Sequence, residues 1–207
     1  MKKIRLNQNQ KIFIFDLDGT LYQLDGKNNG YPGSTLEKQV NKNILQYIRN
    51  RELCAEKIAK KIFNQAVVDP VGASQYLSNR YEITRSEYFN IVWDINPQNI
   101  VKNYNLAQNT ISNINPNIIL ILLTSAPEIW TKRVLSFLSI NDKFEKIITG
   151  EKFKFKYEVF QELSRKYQPN NITSIGDQYT TDIQPAEVLG FKYLLIQKPE
   201  DITNLSK

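Results

Sequence analysis

The chain has 207 residues, 41% hydrophobic and 23% charged, a globular balance that suits one sizeable domain or one domain carrying a smaller insert. It has no histidine and a single cysteine, Cys54, which excludes Ser–His–Asp and Cys–His catalysis, histidine- or cysteine-based zinc sites and an internal disulfide framework. The net charge of +6 favours anionic partners, but the lysines are dispersed and often lie beside acids, with Lys152, Lys154 and Lys156 the densest run. No long basic stripe marks a nucleic-acid surface, so nucleic acid is not an expected partner.

The N-terminal stretch from Met1 to Arg5 lacks the apolar core of a signal peptide, and the longest aliphatic run, Ile118 to Leu123, is too short to span a bilayer. The expectation is a cytoplasmic protein with no membrane association, acting as a monomer, with a dimer as the alternative.

In chain order, Lys11 to Leu17 is a β-branched and aromatic run that reads as a strand buried on both faces, ended by Gly19 and Thr20. A loop follows through Gly26, Gly30, Pro32 and Gly33. Ser34 and Glu37 have capping-box spacing, and Leu36, Val40, Ile44 and Ile48 then repeat every four residues, which predicts a helix to about Asn50. A second helical stripe contains Leu53, Ile58, Ile62, Phe63 and Ala66 and is broken at Asp69-Pro70-Val71-Gly72. Helical character resumes at Tyr76-Leu77. Thr84 and Glu87 form another capping box, and Pro97 fits the first turn of a short helix.

Residues 34–113 therefore read as all helix. Beyond them, Ile118 to Leu123 is a second apolar strand and Pro127 opens a helix to about Leu138. A short strand is expected at Lys146 to Thr149 and a helix at Tyr157 to Tyr167. A strand follows at Ile172 to Ile175, a helix at Asp182 to Leu189 and a last strand at Phe191 to Ile196. The alternation in residues 1–33 and 114–207 implies an α/β fold, a Rossmann-like parallel sheet core, with residues 34–113 inserted as an all-α cap.

In such a core, ligands bind beyond the carboxyl ends of the strands. Three predicted strands end there in polar groups: Asp16-Leu17-Asp18-Gly19-Thr20, Thr124-Ser125 and Gly176-Asp177. Strand alternation places Asp16 and Asp18 on one side. Two adjacent acids are costly unless a cation joins them, and magnesium prefers hard oxygen ligands that it shares with phosphate. One carboxylate can also serve as nucleophile and the other as general acid and base. The plainer alternative is a pair of loop or capping acids. Thr124 and Ser125 suit either phosphoryl binding or a simple helix cap. Asp177 and Asp182 suit a shared cation, or Asp182 only caps its helix.

The string from Phe15 to Leu21, FDLDGTL, closely resembles the first motif of the haloacid dehalogenase superfamily. Thr124 after its strand is similar to the second motif, and Gly176 to Asp182, with two acids separated by four residues, resembles the fourth. The resemblance implies a magnesium-dependent phosphatase acting on a small phosphomonoester. Asp16 would be nucleophile and metal ligand. Asp18 would be general acid and base, with its carbonyl at the metal. Thr124 and Ser125 would bind phosphate, and Asp177 and Asp182 would hold Mg2+.

The third motif is a lysine. Aligning on Phe160 gives Lys154 that place, although Phe155 stands where the family often has proline, and Lys152 and Lys156 are rivals. The insert resembles the helical cap of the subgroup containing phosphoglycolate phosphatases, β-phosphoglucomutases and pyrimidine 5′-nucleotidases. Cap closure over the substrate would exclude water. Tyr76, Arg80, Tyr81, Tyr88 and Trp93 would line a base or sugar pocket or, the preferred reading for most, simply pack the cap helices. A nucleoside monophosphate is the first expected substrate, and a sugar phosphate or phosphoglycolate the second. A phosphomutase of the same subgroup and a non-catalytic protein that keeps the fold are the alternatives.

Overall fold

Five short apolar segments pair into one parallel sheet in the computed structural model, which describes residues 10–27 and 30–206. The strands are β1 (Ile12–Phe15), β2 (Ile119–Leu123), β3 (Lys146–Ile148), β4 (Ile172–Gly176) and β5 (Lys192–Leu195), in the spatial order β3-β2-β1-β4-β5. β1 is central because it can be buried on both faces: Ile12, Ile14 and Phe15 are all buried, as is every residue of β2. The edge strand β3 instead exposes Lys146 and Ile147. In register, Ile12 lies beside Ile119 on one side and Ile172 on the other, and Phe15 beside Leu122 and Ile175. Asp16, Thr124 and Asp177 therefore emerge from three neighbouring strands at the same sheet edge. That edge includes the topological switch point between β1 and β4, where the chain, having passed from β1 to β2 and β3 on one side, crosses to β4 and β5 on the other.

Helices cover this sheet. α6 (Glu128–Phe137) buries Trp130, Thr131, Val134 and Leu135. α7 (Lys156–Lys166) turns Val159, Phe160 and Leu163 into a core shared with Ile12, Ile14, Ile121 and Leu123. A π-helical turn (Tyr179–Ile183) follows β4 and leads into the one-turn helix α8 (Gln184–Val188). α5 (Asn105–Ser112) packs against the 3-10 segment Pro199–Ser206.

The chain divides into two compact units, one formed by the residues up to Leu24 together with those from Val101 on, the other by Asp25–Ile100. The chain exits and re-enters the sheet unit at a two-residue bridge, where Gln23 and Lys102 exchange backbone hydrogen bonds of 2.8 and 3.1 Å. The observed limits are narrower at the C-terminal side than the expected insert of 34–113, because α5 belongs with the sheet.

The helical unit contains α1 (Thr35–Glu52), α2 (Glu56–Val68), α3 (Ala73–Arg80) and α4 (Arg85–Val92). The Ser34 side chain caps α1 by accepting from the Glu37 N–H at 3.1 Å, while the Glu37 carboxylate turns to the Gly33 N–H. Thr84 and Glu87 make the full reciprocal capping box of α4. Tyr81 and Tyr88 are buried, with Tyr47 edge-on to both, and Trp93 stacks on Tyr31. The Arg80 guanidinium is bonded to Glu52 at 2.8 Å. Tyr81 and Tyr88 thus pack inside the unit, whereas Arg80 is exposed and Tyr76 and Trp93 are half-buried. Among the described residues no helix is long and apolar enough to cross a membrane.

Candidate active site

Asp16 is the first residue beyond β1, still tied to the sheet by its N–H bonding to the Ile175 carbonyl at 2.9 Å. Its carboxylate is 6% exposed. Asp177 follows β4 directly, and the π-helical turn then brings Asp182 back to the strand end, where it is 2% exposed. Carboxylate oxygens of Asp16, Asp177 and Asp182 lie within 4.8 Å of one another.

Two glycines make this convergence possible. A Cβ on Gly19, which has φ of +84°, would stand 2.3 Å from Asp177 Oδ2, and a Cβ on Gly176 would stand 2.3 Å from Asp182 Oδ2. Asp182 is further fixed by the Gln178 N–H bonding to its Oδ2 at 3.1 Å and by Ser174 Oγ donating to its carbonyl at 2.7 Å. Thr20 Oγ1 reaches Asp177 Oδ1 at 3.5 Å.

The lysine at this cluster is Lys156, in place of the expected Lys154. Its Nζ donates to Asp16 Oδ1 and to Asp182 Oδ1, both at 2.7 Å, and the residue is 8% exposed. Lys154 is exposed, with its Nζ 5.4 Å from the centre of the exposed Phe155 ring, and Lys152 is exposed as well. The reason lies in the helix. α7 begins at Lys156, which shares its inward face with Val159, Phe160 and Leu163, at offsets of three, four and seven positions. The alignment on Phe160 assumed the spacing of a proline-containing loop that this chain lacks. The helical offset was the available signal, since it puts Lys156 on the apolar stripe.

The charges explain the electrostatics. Burial raises the Asp16 carboxyl well above the usual carboxylate range and the Asp182 charge adds to this, while Lys156 pulls it back. Burial and the charges of Asp16 and Asp182 raise Asp177 still further. Burial disfavours the Lys156 ammonium, yet its two carboxylate partners more than offset this and hold it charged. One ammonium thus faces three clustered carboxylates. The deficit is one that a small divalent cation would fill, and an all-carboxylate donor set matches magnesium. Asp16, Asp177 and Asp182 are the side chains fit to hold it.

The Asp18 carboxylate stands outside that group. Its Oδ1 accepts from Trp130 Nε1 at 3.1 Å and from the Tyr22 hydroxyl. Burial and the neighbouring Asp16 push it up to about 7. Neither Tyr22 nor Trp130 has a role assigned from the sequence. Thr124 is buried, and its Oγ1 accepts the Ala126 N–H at 3.0 Å, closing the turn before α6. Ser125 is exposed at the same strand end. The N-terminus of α6 is met by Glu151, whose Oε2 accepts the Glu128 N–H at 2.9 Å.

The haloacid dehalogenase-like hydrolase family matches this chain over residues 13–196. No curated protein sequence matches it. Among solved structures, a HAD phosphatase from Thermococcus onnurineus is similar with a TM-score of 0.60 at 17% identity, over 90% of this chain and 86% of that one. A HAD-hydrolase from Bacillus subtilis, bound to magnesium, is similar with a TM-score of 0.56 at 15% identity, over 95% and 98% of the two chains. A predicted phosphoglycolate phosphatase from Haemophilus somnus reaches 0.55 at 17% identity, over 92% and 86%. At these identities the likeness is one of fold.

Proposed function

The chain belongs to the haloacid dehalogenase-like hydrolase family, and from that premise we propose that it is a magnesium-dependent phosphatase of small phosphomonoesters working through an aspartyl phosphate. The observation that carries the reading is the placement of Lys156 Nζ 2.7 Å from both Asp16 and Asp182 at the edge where Asp177 also converges.

Lys156 fixes Asp16 Oδ1, and Oδ2 is the attacking atom. A bond forms from that oxygen to phosphorus as the bond from phosphorus to the leaving oxygen breaks. Asp18, pushed up to about 7 by burial and the neighbouring Asp16, is poised to exchange a proton near neutrality and delivers one to the leaving oxygen. Water then attacks the phosphorus of the aspartyl phosphate and gives its proton to Asp18, and the bond between Asp16 and phosphorus breaks to release inorganic phosphate. The Thr124 hydroxyl and the Ser125 hydroxyl and N–H, at the end of β2, would bind phosphoryl oxygens, and Lys156 would oppose the negative charge that develops there. Magnesium, held by Asp16, Asp177 and Asp182, would supply further neutralisation of phosphoryl charge.

A nucleoside monophosphate is the proposed first substrate, and a sugar phosphate or phosphoglycolate the second. The test is phosphate release from a panel of these compounds, with magnesium or with chelator. Magnesium-dependent release to water supports the reading. Retention of the phosphoryl group on an isomerised sugar, or no turnover of any compound, contradicts it.

A further inference from the structure

The donors around Asp18 form a small triangle. Trp130 Nε1 lies 3.1 Å from Asp18 Oδ1 and 2.9 Å from the Tyr22 hydroxyl oxygen, while that hydroxyl donates to the same Asp18 Oδ1. Both aromatic side chains are sealed from solvent, Trp130 at 0% exposure and Tyr22 at 1%. They come from separate elements, Tyr22 from the loop after β1 and Trp130 from the first turn of α6, and a backbone bridge between Asp18 and Tyr22 ties that loop. Asp18 Oδ2 has no hydrogen-bond partner among the described residues.

Buried indole and phenol groups need polar partners, and a backbone carbonyl or each other would suffice. A half-buried carboxylate is a costly partner to choose for that purpose alone. Two rigid donors on one oxygen, however, fix the carboxylate's torsions and commit the other oxygen to a single direction.

Building on the phosphatase reading above, we propose that Tyr22 and Trp130 are positioning residues for the general acid: they clamp Asp18 Oδ1 so that Oδ2 carries the proton to the leaving oxygen. They touch neither phosphorus nor the leaving group, and their effect is confined to proton delivery.

The test compares kcat/KM for phenyl phosphate and p-nitrophenyl phosphate in the wild type, Tyr22→Phe, Trp130→Phe and Asp18→Asn. p-Nitrophenolate leaves without a proton, whereas phenolate benefits from one. Since general acid catalysis contributes about 10²- to 10⁴-fold, losing its alignment should lower kcat/KM for phenyl phosphate about tenfold or more and that for p-nitrophenyl phosphate less than about threefold. Asp18→Asn should show the same order more strongly. A readout independent of turnover is the Trp130 indole N–H resonance, assigned by its loss in Trp130→Phe, which should move upfield in Asp18→Asn. Equal losses on both substrates, no loss on either, or an unmoved indole resonance would overturn the clamp while leaving the phosphatase reading intact. A wild type inactive on both esters and on the whole panel would instead overturn the phosphatase reading, and the clamp with it.

Discussion

Replacing Lys156 with methionine keeps the length of the side chain and removes the one cation between two buried carboxylates. Each 2.7 Å contact is a gross attraction of about 6 kcal/mol at an effective dielectric of about 20, most of it offset by desolvation of the ammonium. What remains after the substitution is Asp16 and Asp182 facing each other, 6% and 2% exposed, with no compensating charge. Breaking a buried pair in this way costs about 3–5 kcal/mol. The loss must depend on pH. Lys156 opposes the burial that raises Asp16, so without it Asp16 binds its proton more tightly in the folded state. A carboxylate raised on folding does no harm below its unfolded value and destabilises progressively as pH climbs through its folded value. Urea denaturation should therefore show the full loss near pH 8 and a markedly smaller one near pH 5.5. Turnover at saturating magnesium should fall about 10²- to 10³-fold, the usual effect of deleting one electrostatic contact to the transition state. Lys154→Met, which removes only an exposed ammonium beside Phe155, should stay within about 0.5 kcal/mol and about threefold in rate. Equal losses in the two variants, or near-normal turnover in Lys156→Met, would refute the assignment.

Two further outcomes follow from the carboxylate cluster. Gly176→Ala places a Cβ 2.3 Å from Asp182 Oδ2 and 2.4 Å from its Cβ, so the carboxylate must move; titration calorimetry should show magnesium affinity weakened about tenfold or more, with stability lowered by about 1–3 kcal/mol. Magnesium should raise the melting temperature by about 5–10 °C near pH 8 at a concentration about 100-fold over Kd, and by much less near pH 5.5. The sign follows from burial raising Asp16 to about 6 and Asp177 to about 8: protons held at these two carboxyls above the ordinary carboxylate range compete with the cation more at pH 5.5 than at pH 8. A magnesium shift that is the same at both pH values would show that the cation does not bind at these acids.

The sheet was legible because its strands are nearly continuous apolar runs. β2 was expected at 118–123 and spans Ile119–Leu123, and β4 was expected at 172–175 and spans Ile172–Gly176. Asp16, Asp177 and Asp182 were legible for a related reason: acids that directly end such strands, or lie one helical turn on, have few other places to go. Four features were hidden. α5 was assigned to the insert, since an amphipathic stripe of Ala107, Thr110 and Ile111 shows that a helix is half-buried but not against what. The turn at Tyr179–Ile183 is π-helical where a regular helix from Asp182 was expected, a distortion that swings Asp182 towards Lys156. Lys156 is only a rival of Lys154 by motif alignment on Phe160, whereas its helical offset from Val159, Phe160 and Leu163 is what buries it. The proposed clamp depends on Trp130 meeting Tyr22 and Asp18 across 108 and 112 residues, which no local pattern records.

The central claim is that Asp16 carries the phosphoryl group, and the most direct measurement traps it. Enzyme quenched in acid during turnover with magnesium, reduced with borohydride and examined by peptide mass spectrometry should contain homoserine at position 16, in the wild type only and not in Asp16→Asn, which should also release no phosphate. Phosphate release by the wild type with homoserine absent, or found at Asp177 or Asp182 instead, would contradict the account.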